Sequence, residues 1–162
     1  MMMKKRGQQM MGMSFGMIFA IFLIAVFFVI AFIAINSFLD IGRSSKIGFF
    51  YEDFQEEVND AWASQSRNTF FEVDLPRGIK KVCFADFNAI NYVKDSEVRD
   101  YEVHEESNTF LIPLKKSEGI GHKNIDHLDI GNITSSENPY CINVEDGINI
   151  KKDFYDKLVS VS

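Results

Sequence analysis

Apolar and polar positions follow three successive patterns along the chain. The first has no alternation at all. From Phe15 to Phe38 run 24 residues, sixteen of them Phe, Ile, Leu or Val, with polar residues only at the margins: Ser14 before, Asn36 and Ser37 near the end. At about 1.5 Å rise per residue, such a helix crosses a hydrocarbon core of roughly 30 Å. At roughly 0.3–0.6 kcal/mol per strongly apolar residue, insertion of the run is favoured by about 5–10 kcal/mol. A buried helix of a soluble core carries a polar stripe at helical spacing. None is present here, and the pattern predicts a transmembrane helix over 15–38.

The second pattern has the helical period. Ile47, Phe50, Phe54, Val58 and Ala61 or Trp62 recur at spacings of three and four, while Glu52, Asp53, Glu56, Glu57 and Asp60 fill the other side. This is one apolar stripe about four turns long. It predicts an amphipathic stalk or docking helix over 39–66, either continuous with the membrane helix or separate from it. Gly42 and Gly48 loosen the junction, each costing up to about 1 kcal/mol relative to Ala.

From Asn68 the period falls to two. "TFFEVDL" alternates, and "IKKVCFAD" follows with Ile79, Val82 and Phe84 apolar. "DYEVHEE" and "TFLIPL" read as a hairpin across Ser107-Asn108, with Phe110, Ile112 and Leu114 on one face. "YCINVEDGINIKK" reads as two strands about an Asp146-Gly147 turn. "DFYDKLVSVS" reads as a closing strand with Phe154 and Leu158 inward. The expected class is α+β: a long N-terminal transmembrane/stalk helix, then a small antiparallel β-sheet or sandwich over 67–162.

Charge gives the first expectation its direction. No Asp, Glu, Lys or Arg occurs from Gly7 to Leu39, and all 23 acidic residues lie from Asp40 onward. Three of the 17 basic residues, Lys4, Lys5 and Arg6, precede the apolar run, which leaves 14 beyond it and a surplus of nine negative charges there. The positive-inside rule then makes 1–14 a cytoplasmic leader and 39–162 extracytoplasmic, on a single-pass membrane protein. A surface that acidic disfavours nucleic acid. A cleaved secretory signal has a shorter apolar region, although "AFIAINS" offers small residues at Ala31, Ala34 and Ser37.

Composition adds two contacts. Gly12, Gly16 and Ala20 recur every fourth residue, so they share a helix face that lets a second helix approach closely in lipid. Membrane lipid and self-association through this face are the partners expected. Cys83 and Cys141 both fall in expected strands, and outside the cytoplasm such a pair reads as one disulfide, stabilising by roughly 2–4 kcal/mol. Two buried thiols are the alternative.

The N-terminus resembles a family. The short positive "KKRG", the Gln-rich start and the Phe/Ile-rich helix are similar to the class III (prepilin-type) signal sequences of archaeal type IV pilins and their relatives. The resemblance covers about the first 40 residues. It implies cleavage after Gly7, leaving Gln8 as the new N-terminus, or after Gln8, and a helix that remains to anchor the chain or pack in a filament. The chain departs from the family where "QQMMGMS" lacks the glutamate often found about five residues into the mature helix. Without that carboxylate the helix suits a permanent anchor.

Candidate chemistry is sparse. His122, Asp126, His127 and Asp129, with His104, are metal-ligand types, but His122 and His127 are five apart rather than the four of a helical zinc pair. Asp86, Asn88 and Glu97 fit positions 1, 3 and 12 of a calcium loop, yet Ile90 and Asn91 stand at positions 5 and 6. No nucleophile elbow, P-loop or dinucleotide fingerprint is present. Asn132-Ile-Thr is a glycosylation sequon suited to an exported loop. The expected function is a non-enzymatic, membrane-anchored surface or interaction protein without a cofactor. The alternatives are an assembled pilin or minor pilin, and a tethered ligand-binding or enzymatic ectodomain.

Overall fold

The computed structural model describes residues 9–94, 97–117 and 119–162. The fold is α+β. Among the described residues, one long helix, α1 (Gln9–Ala63), precedes seven short strands: β1 (Arg67–Phe71), β2 (Lys81–Phe84), β3 (Thr109–Ile112), β4 (His122–Lys123), β5 (Tyr140–Asn143), β6 (Ile148–Lys152) and β7 (Ser160–Val161). A one-turn helix, α2 (Ile130–Ile133), lies between β4 and β5. The chain divides into two compact units, one ending at Ile41 and the other Gly42–Ser162.

In the first unit the apolar run is helical, and residues 16–41 are exposed along their whole length. A helix apolar all round has no polar side to give to water. By length and composition it is sufficient to cross a membrane.

In the second unit the helical period finds its counterpart. Ile47, Phe50, Phe54, Val58 and Ala61 are all buried, while Trp62 is half exposed. Tyr51 is buried beside them. Phe54 packs against Phe71 of β1 and Phe84 of β2, ring centroids 5.4 and 6.1 Å apart, so one helix face gathers both sheets. The helix ends where Ser64 donates its backbone N–H and its hydroxyl to carbonyls of the last turn. Lys152, almost fully buried, donates its ammonium to the Ser64 carbonyl at 2.7 Å. A cation at a helix C-terminus is favoured by the macrodipole; here β6 supplies the charge that the last turn of α1 lacks.

The strands form two antiparallel sheets, ordered β1-β6-β7 and β4-β3-β2-β5. Alternation on β2 and β3 splits their side chains between two cores. Val82, Phe84 and Leu111 face α1 and the three-stranded sheet. Cys83, Phe110 and Ile112 face a second cluster with Val98 and Tyr101. That second face is therefore covered by the long connection between β2 and β3.

Three expectations of pairing and phase are corrected. "DYEVHEE" is not a strand: Arg99–Tyr101 is a 3-10 turn and the rest are turns. Its apparent alternation fails because Tyr101 is buried while Val103 is 80% exposed. The strands around Asp146-Gly147 exist but do not pair; β5 belongs to one sheet and β6 to the other. Gly147, at φ 67 with the Phe70 ring above it, makes a turn that passes between the sheets, a conformation glycine adopts without strain. The closing strand is only β7; Val159 and Val161 point inward, while Phe154 is 61% exposed and Leu158 39%.

Candidate functional site

Two features stand out: the apolar surface of residues 16–41, and the edge of the four-stranded sheet, where the two cysteines meet. In register, Cys83 lies opposite Cys141 on adjacent antiparallel strands. The two form a disulfide with Cα atoms 4.0 Å apart. Cys83 is fully buried and Cys141 half-buried, so the bridge runs from the second core to the sheet edge. The disulfide expected from the sequence is present, and the register explains why the two cysteines meet.

The small-residue ladder lies on α1: Gly12, Gly16 and Ala20 occupy one face four residues apart, and Gly16 has open space where a side chain would stand. The leader residues Gly7 and Gln8 lie outside the described residues. Asn132 is exposed on α2, whose first turn is capped by the Asp129 carboxylate accepting from the Asn132 N–H at 3.0 Å. Thr134, the third residue of the sequon, is buried with its hydroxyl donating to the Ile130 carbonyl.

The histidines go to two different places. His104 and His122 stack at 3.6 Å between centroids, and Ser107 Oγ lies 3.1 Å from His122 Nδ1. His127 stacks instead on Trp62, centroids 3.8 Å apart and planes 5° from parallel. Asp126 is held by backbone bonds with the Gln55 side chain, and Asp129 caps α2. Among the described residues, no three His, Cys, Asp or Glu side chains converge as metal ligands. The calcium-loop residues separate as well. Asp86 accepts from the Asn88 N–H, while Glu97 pairs with Lys81 at 2.6 Å.

Burial shapes the titration of three groups. It pushes Tyr51 well above the ordinary phenol value, with a smaller contribution from Tyr101; the Tyr51 hydroxyl has no hydrogen-bond partner among the described residues. Burial also raises Tyr101, opposed by its hydrogen bond with the Ser117 hydroxyl. It lowers His122, helped by neighbouring His104 and opposed by Glu106.

Several positioning residues escaped the sequence pattern. Asn138 is buried and holds the 86–93 segment: its side chain accepts from the Asp86 N–H and donates to the Asp86 carbonyl and to Asn91. The Asn138-Pro139 dipeptide is a turn signal that marks the place. Tyr101, fully buried, donates its hydroxyl to the Leu111 carbonyl at 2.6 Å. Gly121 is required because a Cβ there would collide with Ser117 and the Tyr101 hydroxyl.

No protein-family model, curated protein or solved structure matches this chain.

Proposed function

We propose that this chain is a single-pass, membrane-anchored surface protein of pilin-like design, whose extracytoplasmic domain serves interaction rather than catalysis. The observation that carries the reading is the exposure of every residue from 16 to 41 on a helix of almost wholly apolar side chains. Left in water, that surface has an unfavourable hydration free energy which lipid removes. The cluster Lys4, Lys5 and Arg6 supports a cytoplasmic N-terminus. The Cys83–Cys141 disulfide supports an oxidising compartment for the other end. The resemblance of the first 40 residues to archaeal prepilin signals supports the pilin-like design, and the absence of an acid in "QQMMGMS" favours an anchor over a filament subunit.

Mass spectrometry of the mature N-terminus, with protease protection in sealed vesicles, tests this reading. The anchor reading expects an N-terminus no later than Gln9 and residues beyond 40 accessible from outside. Loss of the leader at Gly7 or Gln8 supports prepilin processing. An intact leader removes the filament alternative. Cleavage near Ala34 removes every anchored form.

A further inference from the structure

We propose that the outer edge of β5 takes up an extended, positively charged peptide by strand addition. This names the partner class for residues 42–162 and rests on reading them as an interaction domain.

β5 is a terminal strand of its sheet. Val144 donates its N–H to the Lys80 carbonyl at 2.9 Å, so Lys80 and Val144 form a hydrogen-bonded pair. Antiparallel pairs alternate between bonded and non-bonded. The bonded pairs are then Val82 with Ile142 and Phe84 with Tyr140, and the non-bonded pairs are Lys81 with Asn143 and Cys83 with Cys141. The 4.0 Å Cα separation of the cysteines agrees with the closer, non-bonded kind. The backbone N–H and C=O of Cys141 and Asn143 therefore point away from β2. Among the described residues, no backbone bond is made to them outside the sheet. They offer four main-chain hydrogen bonds to an incoming strand.

Hollows flank this edge. One, of about 260 Å³, is bordered by Tyr140, Asn143, Asp146 and Asn149; another, of about 240 Å³, by Lys81, Glu97, Glu137 and Pro139. Cys141 borders both. Successive side chains of an added strand point to opposite faces, so each hollow receives alternate residues. The disulfide ties Cys141 to β2 and holds the edge in strand form before any partner arrives, which lowers the ordering cost of binding.

Charge chooses the occupant. Lys81, the one cation among these lining residues, is already paired with Glu97. A third hollow, bordered by Asn143, Glu145 and Asp146, also holds Arg77 and Lys80. Across the three hollows four acids, Glu97, Glu137, Glu145 and Asp146, stand against three bases, Lys81, Arg77 and Lys80, a small acidic surplus on a stretch, residues 40–162, with nine more acids than bases. A second copy joined antiparallel through the same edge would bring Glu137 at one end of β5 opposite the Glu145-Asp146 end of the other copy, acid against acid. A lysine-bearing strand meets them with opposite charge.

The test uses the full chain in a non-ionic detergent, with the capped heptapeptide of alternating Lys and Val as probe and the Glu/Val peptide as its counterpart. Asn143 has φ −71 and ψ 142, which proline also adopts, and its outward N–H serves no internal bond. Asn143→Pro therefore removes one edge donor without disturbing the sheet, and Asn143→Ala controls for the side chain. The expected result is saturable binding of the Lys peptide, with slowed amide exchange at Cys141 and Asn143. Binding should be about tenfold or more weaker for the Glu peptide and for Asn143→Pro, and little changed for Asn143→Ala. The inference is overturned by no binding at millimolar peptide, by equal binding of both peptides, by equal binding to both variants, or by protection on the β1 edge at Asn68 and Phe70. Dimerisation that Asn143→Pro abolishes would make a second copy the occupant and overturns it too. Vesicle flotation of the same protein reads the anchor separately, so loss of peptide binding leaves that reading intact.

Discussion

His104 and His122 lie ring on ring, centroids 3.6 Å apart and planes 17° from parallel, where the connection after β2 closes over the second core. Two imidazolium ions in that position repel each other, and burial adds to the cost of charging His122. An unfolded histidine titrates near 6.5, and the folded His122 titrates below that. The unfolded state therefore binds more protons on acidification. The stability owed to neutral His122 is complete above about pH 6.5 and is lost as pH falls through the folded value. Imidazole NMR shifts should place His122 below 6.5. His104→Ala should move it up and Glu106→Gln further down, since the first removes a repulsive neighbour and the second an attractive one. A His122 that titrates at or above 6.5 contradicts the account.

The disulfide should matter to stability as much as to the edge. It joins residues 58 apart in sequence and so restricts a long segment of the unfolded chain. In the loop-entropy account such a link contributes about 2–4 kcal/mol. Cys83→Ala with Cys141→Ala should lower the denaturant unfolding free energy by about that amount. The wild-type protein should resist alkylation until reductant is added. Ready alkylation of both thiols in freshly extracted protein would show that the bond does not form in the cell.

The two sides of the docking helix should respond very differently to truncation. Phe54 is fully buried between Phe71 and Phe84, whereas Phe49, five residues earlier, is 62% exposed. Removing a buried phenylalanine ring costs about 3–5 kcal/mol; a surface change stays within about 0.5 kcal/mol. Thermal unfolding of Phe54→Ala and Phe49→Ala, followed by circular dichroism, should reproduce that contrast. Equal losses would mean that the stripe is not the docking face.

This contrast also shows what the sequence could reveal. Ile47, Phe50, Phe54, Val58 and Ala61 were legible because helical periodicity is local: each residue's face is set by its own neighbours. Ile79, Val82 and Phe84 were legible for the same reason, and all three are buried. Pairing between strands is not local. The turn at Asp146-Gly147 looked like a hairpin, but which strand β5 or β6 meets depends on segments far away in sequence, β2 and β1. Phase failed at Phe154 and Leu158 because 153–158 is a loop, in which alternation carries no meaning. Asn138 and the Trp62–His127 stack were hidden because single polar or aromatic contacts leave no periodic trace.

Removal of the apolar segment should leave the second unit whole. Every residue from 16 to 43 is exposed, and the first core residue is Ile47. A chain beginning at Gly42 therefore keeps the whole docking stripe, both sheets and the disulfide. It also keeps the Lys46–Asp74 ion pair beside the new helix start, although an exposed pair of that kind adds little. Its remaining exposed apolar residues, such as Phe70, Val103 and Tyr155, are spread along the chain rather than gathered in one run. Produced under oxidising conditions, this fragment should stay in the supernatant after high-speed centrifugation without detergent, and it should unfold in one cooperative transition. The full chain should sediment unless detergent or lipid is supplied, because residues 16–41 present apolar side chains on all sides. A fragment that requires detergent would mean that the apolar helix shields part of the second unit, and would remove the main support for treating it as an anchor.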